Sequence, residues 1–235
     1  MRGFYGRWVV ANGVAEAAGL GTTFVLGTAL APRLAAASGV AEILGGAALA
    51  VLLGTFLEGV VVGWAQGRVL AVHLPVSVRA WVRASAVGAG LAWLLGMVPS
   101  TVVSLVMLDA PAAAPGALPP AEPGPWLTML LAAGLGLVTG PVLGAAQWQV
   151  LRQVAPGGRR WLWANALAWA VGMPLIFAGM DRVPWQGPAP ARVAALYGVC
   201  LVAGLAVGAV HGRVLAPLAA AAGRPGAPAP GPPAG

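Results

Sequence analysis

The segment Glu58–Leu70, EGVVVGWAQGRVL, returns twice in altered form, as TGPVLGAAQWQVL over Thr139–Leu151 and as AGLAVGAVHGRVL over Ala203–Leu215. Self-similarity at long spacing marks a chain that stacks one supersecondary unit. Glycine recurs every fourth residue in or just before each copy: Gly59, Gly63 and Gly67, then Gly136, Gly140 and Gly144, then Gly204, Gly208 and Gly212. Residues four apart share one helical face, so the pattern predicts three helices, each with a smooth stripe. In lipid such stripes let backbones approach closely and drive association that hydrophobicity cannot. The expectation is that these three helices pack tightly, and on one another.

Composition names the solvent. Hydrophobic residues make up 59% of the 235 residues and charged residues 8%, and mean hydropathy is +0.85. Soluble domains carry about 25% charged residues, so this chain has too few to cover a water-exposed globule. Six apolar runs can be placed, at about 8–31, 40–69, 80–107, 126–152, 161–180 and 193–214. Each is long enough to cross a bilayer core as a helix. The expected fold class is all-α, a polytopic membrane helix bundle of six transmembrane helices. Arg2 and Arg7 precede the first run in the manner of a signal peptide, but its length predicts a retained first helix.

The odd-numbered helices repeat as well. RWVVANGVAEAAG from Arg7 aligns with RRWLWANALAWAVG from Arg159 and, more loosely, with AWVRASAVGAGLA from Ala80. Trp8, Trp81 and Trp161 correspond, as do Asn12, Ser85 and Asn165. The expected architecture is therefore three repeated helical hairpins, at about 7–70, 80–153 and 160–215, making one transmembrane domain over 1–215. A tail over 216–235, ending GRPGAPAPGPPAG, lacks apolar periodicity and is expected to be disordered. The Pro- and Ala-rich connection Asp109–Pro125 is expected to be extended and mobile.

All thirteen basic residues are arginine. Ten fall at the N-terminus, after the second and fourth spans and on the C-terminal side; Arg33, Arg182 and Arg192 lie opposite. Short arginine-rich loops stay cytoplasmic, which predicts both termini inside. The abundance of Ala, Gly, Pro and Arg points to a bacterial, GC-rich source and hence to the inner membrane. Trp8, Trp64, Trp81, Trp148, Trp161 and Trp163 fall near the cytoplasmic interface and Trp126 and Trp185 near the outer one, the pattern of an anchoring belt. Trp93 and Trp169 fall deeper and are expected to pack between helices.

Two kinds of polar residue interrupt the spans. Gln66 and Gln147 occupy equivalent positions, with His211 in the third copy; Asn12, Ser85 and Asn165 match on the odd helices. At a shared depth these predict hydrogen bonds between helices, each worth about 0.6–2 kcal/mol. The acids Glu16 and Glu58 instead break the repeat, being replaced by Ala89 and Trp169 and by Thr139 and Ala203. Each lies about 12–14 Å along its helix from the arginine at that end, Arg7 or Arg68, at 1.5 Å per residue. A carboxyl at that depth needs a proton, a hydrogen bond or a wet cavity. Glu16 and Glu58, with Asn12 one turn from Glu16, form the candidate proton, ion or polar site. The competing reading is two neutral carboxyls that bridge helices.

No catalytic arrangement emerges. Cys200 is alone, His73 and His211 lie apart, and no serine carries the flanks of an activated nucleophile. The sequence implies no cofactor, no metal and no enzyme activity. The dispersed arginines do not form a nucleic-acid surface. Partners are then the lipid bilayer and other membrane proteins, or further copies of this chain.

The segment GPVLGAAQWQVLRQ, followed by RRWLWANALAWAVG, resembles a set of uncharacterised bacterial multi-pass membrane proteins with repeated GxxxGxxQWxVLR segments. The first and third copies depart from that pattern, with Gly67 and Gly212 at the tryptophan position and His211 in place of glutamine. The resemblance implies a membrane repeat fold and no mechanism. Two functions follow as expectations. One is a non-catalytic structural or interaction subunit or assembly factor. The other is a small proton- or cation-coupled transporter or channel that uses Glu16 and Glu58.

Overall fold

The computed structural model describes residues 2–108, 123–155 and 158–222. Their regular structure is entirely helical. Six helices are long and apolar enough to cross a membrane: α1 (Gly3–Ala35), α2 (Gly39–Ala71), α3 (Val78–Leu108), α4 (Pro125–Leu151), α5 (Arg160–Met180) and α6 (Ala189–Ala222). The chain is a polytopic helix bundle, and the six expected spans fall on these helices. Each helix packs on the next in the chain, and α6 closes on α1. The starts of α1, α3 and α5 and the ends of α2, α4 and α6 thus share one end of a closed ring, the arginine-rich end.

The glycine stripes make close contacts, but not with one another. The α2 stripe lies on α3, where a methyl group at Gly63 would stand 2.7 Å from the Ser85 Cβ. The α4 stripe lies on α5, where a methyl group at Gly140 would stand 2.5 Å from the Asn165 carbonyl oxygen. The α6 stripe lies on α1, where a methyl group at Gly208 would stand 2.8 Å from the Asn12 Cβ. Even helices therefore pair with odd ones, correcting the expected even–even packing. The physical reason is that the facing side chains Ser85, Asn165 and Asn12 need room that only a missing Cβ supplies.

Trp8, Trp81 and Trp161 are 0% exposed and form the centre of a core with Phe4, Leu70, Leu151 and Leu215. Their rings meet at 6.0 Å for both Trp8–Trp161 and Trp81–Trp161. These three are not interfacial anchors, contrary to the belt read from the sequence. An indole collects at a headgroup layer when its N–H needs water, and here amides inside the bundle accept from two of them. Trp64, Trp126, Trp163 and Trp185 are exposed on the bundle's outer surface, as a belt requires. Trp148 is half-buried beside Arg152, whose guanidinium lies 5.3 Å from its ring.

The C-terminal helix also runs past the expected Ala216 boundary, through Pro217 to Ala222. Leu215 and Ala219, one turn apart, are both buried in the tryptophan core and hold this end in place. The remainder of the expected tail, and the connection over 109–122, lie outside the described residues.

Candidate functional site

Below the tryptophan core the expected polar residues come together. The Trp81 indole N–H donates to Gln66 Oε1 at 3.1 Å, and the Trp161 N–H donates to Gln147 Oε1 at 2.9 Å. Gln66 Nε2 donates to Asn12 Oδ1 at 2.9 Å, while Gln147 Nε2 donates to Ser85 Oγ at 2.9 Å and to Gln66 Oε1 at 3.1 Å. Each glutamine thus accepts from the tryptophan of the following odd helix and donates to the polar residue of the preceding one. Asn12 Nδ2 donates to the Trp8 carbonyl at 2.8 Å, so its amide is engaged on both sides. Asn12 accordingly belongs to this network and not to the acid site in which the sequence placed it.

The third position breaks the rule. His211 is buried against Trp161, with ring centroids 4.6 Å apart, and neither ring nitrogen has a hydrogen-bond partner among the described residues. The Trp8 Nε1 donor and the Asn165 Oδ1 acceptor are likewise buried without partners. Asn165 donates only within its own helix, to the Trp161 carbonyl at 2.9 Å. His211 and Asn165 are therefore not the interhelical hydrogen-bonding contacts expected of them. A neutral imidazole holds its one donor and one acceptor at separate corners of a rigid ring, not side by side on a terminal amide, so it does not reproduce the contacts of the two glutamines.

The two acids meet farther along the bundle. Glu16 is 2% exposed and Glu58 is 8% exposed. Each sits at a wide, π-helical turn, Glu16 immediately before Ala17–Gly21 and Glu58 inside Gly54–Gly59. Such turns insert one residue, swing the following side chains round the helix and recur at functional sites. The two turns face each other so closely that a methyl group at Gly19 would stand 2.8 Å from the Glu58 Cα. Within the first turn the Thr23 hydroxyl donates to the Gly19 carbonyl at 3.0 Å, occupying an acceptor there. Glu16 packs its side chain on Gly204 of α6. Glu58 Oε2 accepts from the Trp93 indole N–H at 2.7 Å, and Trp93 itself lies on the bare backbone of Gly54.

Two cavities adjoin the acids. A narrow one of about 10 Å³ is lined by Glu16, Glu58, Gln66, Gln147, His211 and Trp169, among others. That volume is near the least that holds one water molecule. A larger one of about 250 Å³ lies in the half of the bundle away from the tryptophan core, with Glu58, Thr139, Trp93 and Trp169 in its wall. Glu58 and Trp169 line both, and among the described residues no arginine lines either. No family model, no curated protein and no solved structure matches this chain.

Sequence reasoning brought Glu16 and Glu58 to one depth, and the structure brings them to one place. It missed Trp93 as the partner of Glu58, the bed that Gly54 provides for that indole, and Trp169 as a wall of both cavities. The nearest available signal was alignment: Ala89 and Trp169, equivalent to Glu16, and Thr139, equivalent to Glu58, all line the same larger cavity. The wide turns leave no residue signature beyond their glycines.

Proposed function

We propose that this protein is a small, non-enzymatic, proton-coupled transporter with Glu16 and Glu58 as its coupling site. One observation carries the reading: two buried acids from different helices converge where a cavity of about 250 Å³, open to the outside of the bundle, adjoins a narrow one. Carboxyls placed in a membrane interior without a basic partner offset their charge by taking up a proton or a cation. Glu58, which lines both cavities, is the group that a solute in the larger one would meet first. The wide turns at both acids give the two helices a local alternative backbone register, as a gating step requires.

The test is reconstitution into vesicles that enclose a pH-sensitive dye. Gradients of sodium, potassium or a small organic ammonium are imposed in turn. Proton movement driven by at least one gradient, and lost when Glu16→Gln and Glu58→Gln are combined, is the expected result. Movement no faster than in empty vesicles, or movement that survives the double replacement, would overturn the proposal. The subunit or assembly-factor reading differs in requiring a stoichiometric partner, which purification in mild detergent would recover.

We further propose that the bundle is a triplicated hairpin in a bacterial inner membrane with both termini cytoplasmic. The recurrent glycine–odd-helix contacts, the recurrent Trp-to-Gln bonds and the arginine distribution support this. Labelling Ala113→Cys and Ala220→Cys separately in a Cys200→Ala background tests the orientation. Modification of position 220, in the last turn of α6, from outside the cell would reverse it.

A further inference from the structure

We infer that the larger cavity binds a small lipophilic organic cation, its charge against Glu58 and its apolar body among the aromatic side chains. This rests on the coupling-site reading and names the class of solute. Apart from Glu58 and Thr139, the wall is almost wholly hydrophobic, with Phe24, Trp93, Trp169 and Phe177 supplying four aromatic rings. Aromatic faces attract cations, and tryptophan does so most strongly, the more so when the cation has lost its water. Thr139 directs its hydroxyl to the Leu135 carbonyl at 2.9 Å, and among the described residues Glu58 is the only ionisable group in the wall.

The setting discriminates between solute classes. A hydrated inorganic ion would give up its water shell to a wall with one carboxylate and one hydroxyl, far short of the six to eight oxygens that such ions gather. An anion would face Glu58 with no basic residue to offset it. A neutral apolar molecule fits the wall but leaves the buried carboxylate without a counter-charge. A cation with an apolar surface satisfies both, because its charge is spread and weakly hydrated. Size sets a further limit: drug-sized ligands occupy roughly 300–1,000 Å³, so about 250 Å³ suits one aromatic ring and a short ammonium head.

Benzyltrimethylammonium and its uncharged isostere neopentylbenzene make a matched pair of probes. Equilibrium binding to the purified full-length chain in detergent should be saturable for the cation and about tenfold or more weaker for the isostere. Protons and the cation compete for one carboxyl, so cation affinity should fall as pH is lowered while that of the isostere stays level. Glu58→Gln should abolish the preference for charge. Trp169→Leu should weaken the cation more than the isostere. If Glu58→Gln fails to fold, the paired probes and the pH series on the unaltered protein still decide the matter. Equal binding of both probes with no pH dependence, or no saturable binding of the cation, would overturn the inference. Cation binding without proton movement in vesicles would leave this site standing and remove the transport reading. Proton movement driven by other cations, with no benzyltrimethylammonium bound, would do the reverse.

Discussion

Replacing His211 by glutamine should make the protein more stable, although the histidine lies fully inside its core. The rule followed by Gln66 and Gln147 specifies the contacts that a glutamine at 211 would make. Its Oε1 would accept from Trp8 Nε1, as Gln66 accepts from Trp81 and Gln147 from Trp161. Its Nε2 would donate to Asn165 Oδ1, as Gln66 donates to Asn12 and Gln147 to Ser85. Trp8 Nε1 and Asn165 Oδ1, the donor and acceptor that this rule assigns to position 211, are both buried without partners among the described residues. One substitution would thus satisfy both and remove two unpartnered ring nitrogens.

An unsatisfied buried polar group costs about 1–3 kcal/mol, and interhelical hydrogen bonds in membranes return about 0.6–2 kcal/mol each. Two new bonds therefore predict a gain of roughly 1–4 kcal/mol for His211→Gln. Reversible unfolding in mixed detergent micelles measures it. His211→Leu is the control, since it removes the imidazole and leaves Trp8 and Asn165 unpaired. The expected order of stability is Gln above Leu, with the difference shrinking in a Trp8→Phe background because the donor is gone. A glutamine variant no more stable than the leucine variant would refute the threefold rule. Under the proposed function the same change lowers proton-coupled transport, because it removes the imidazole from the cavity that Glu16 and Glu58 line.

The remaining predictions bear on packing and on the acid site. Trp8→Ala, Trp81→Ala and Trp161→Ala should each cost about 3–5 kcal/mol in the same unfolding assay. Trp126→Ala and Trp163→Ala, at 90% and 72% exposed, should change it little. Gly140→Ala drives a methyl group into the Asn165 carbonyl and should cost about 1–3 kcal/mol, whereas Gly46→Ala, with open space around it, should be neutral or mildly stabilising. Trp93→Phe should destabilise by about 1–3 kcal/mol through loss of the Glu58 bond, and a double-mutant cycle with Glu58→Leu should show that most of this is coupling between the two.

The helices were legible because lipid leaves few choices. An apolar run long enough to cross it, free of turn signals, has one stable form. Glycine at every fourth residue announced close packing, since that spacing has one geometric meaning on a helix. It did not announce the partner, because a stripe says where a neighbour can approach and not which neighbour does. The tryptophans misled for a related reason. Indole is both apolar and a donor, so the same residue near a helix end serves at an interface or, given an internal amide acceptor, in a core. The sequence supplies Gln66 and Gln147 as those acceptors, but the pairing crosses helices and depends on their order in the ring. The acids were found by their failure to repeat, whereas Trp93 was not, because its role comes from Gly54 and Glu58 on a different helix.

What repeats in this chain and what does not divide by location. The residues that recur in all three copies, the glycines and the core tryptophans, lie against neighbouring helices and fix the distances between them. Three polar departures from the pattern, Glu16 on α1, Glu58 on α2 and His211 on α6, line one cavity of about 10 Å³. Substitutions that merely drifted would be expected on the lipid-facing surface, where any apolar residue serves, and not in the most crowded part of the interior. Each of these three also brings a cost that its equivalents avoid: a buried acid where the other copies carry alanine, threonine or tryptophan, and an imidazole that leaves two neighbours unpaired. Costly residues persist in a tightly packed core when they supply something that packing does not. Because α6, α1 and α2 are consecutive in the closed ring, α1 is the helix that unites the three, and displacement of α1 at its wide turn would move Glu16 relative to both Glu58 and His211. Spin labels that report the α1–α3 distance should therefore shift on adding benzyltrimethylammonium in the unaltered protein and stay fixed in Glu58→Gln; a distance indifferent to the cation would separate the site from any movement of α1.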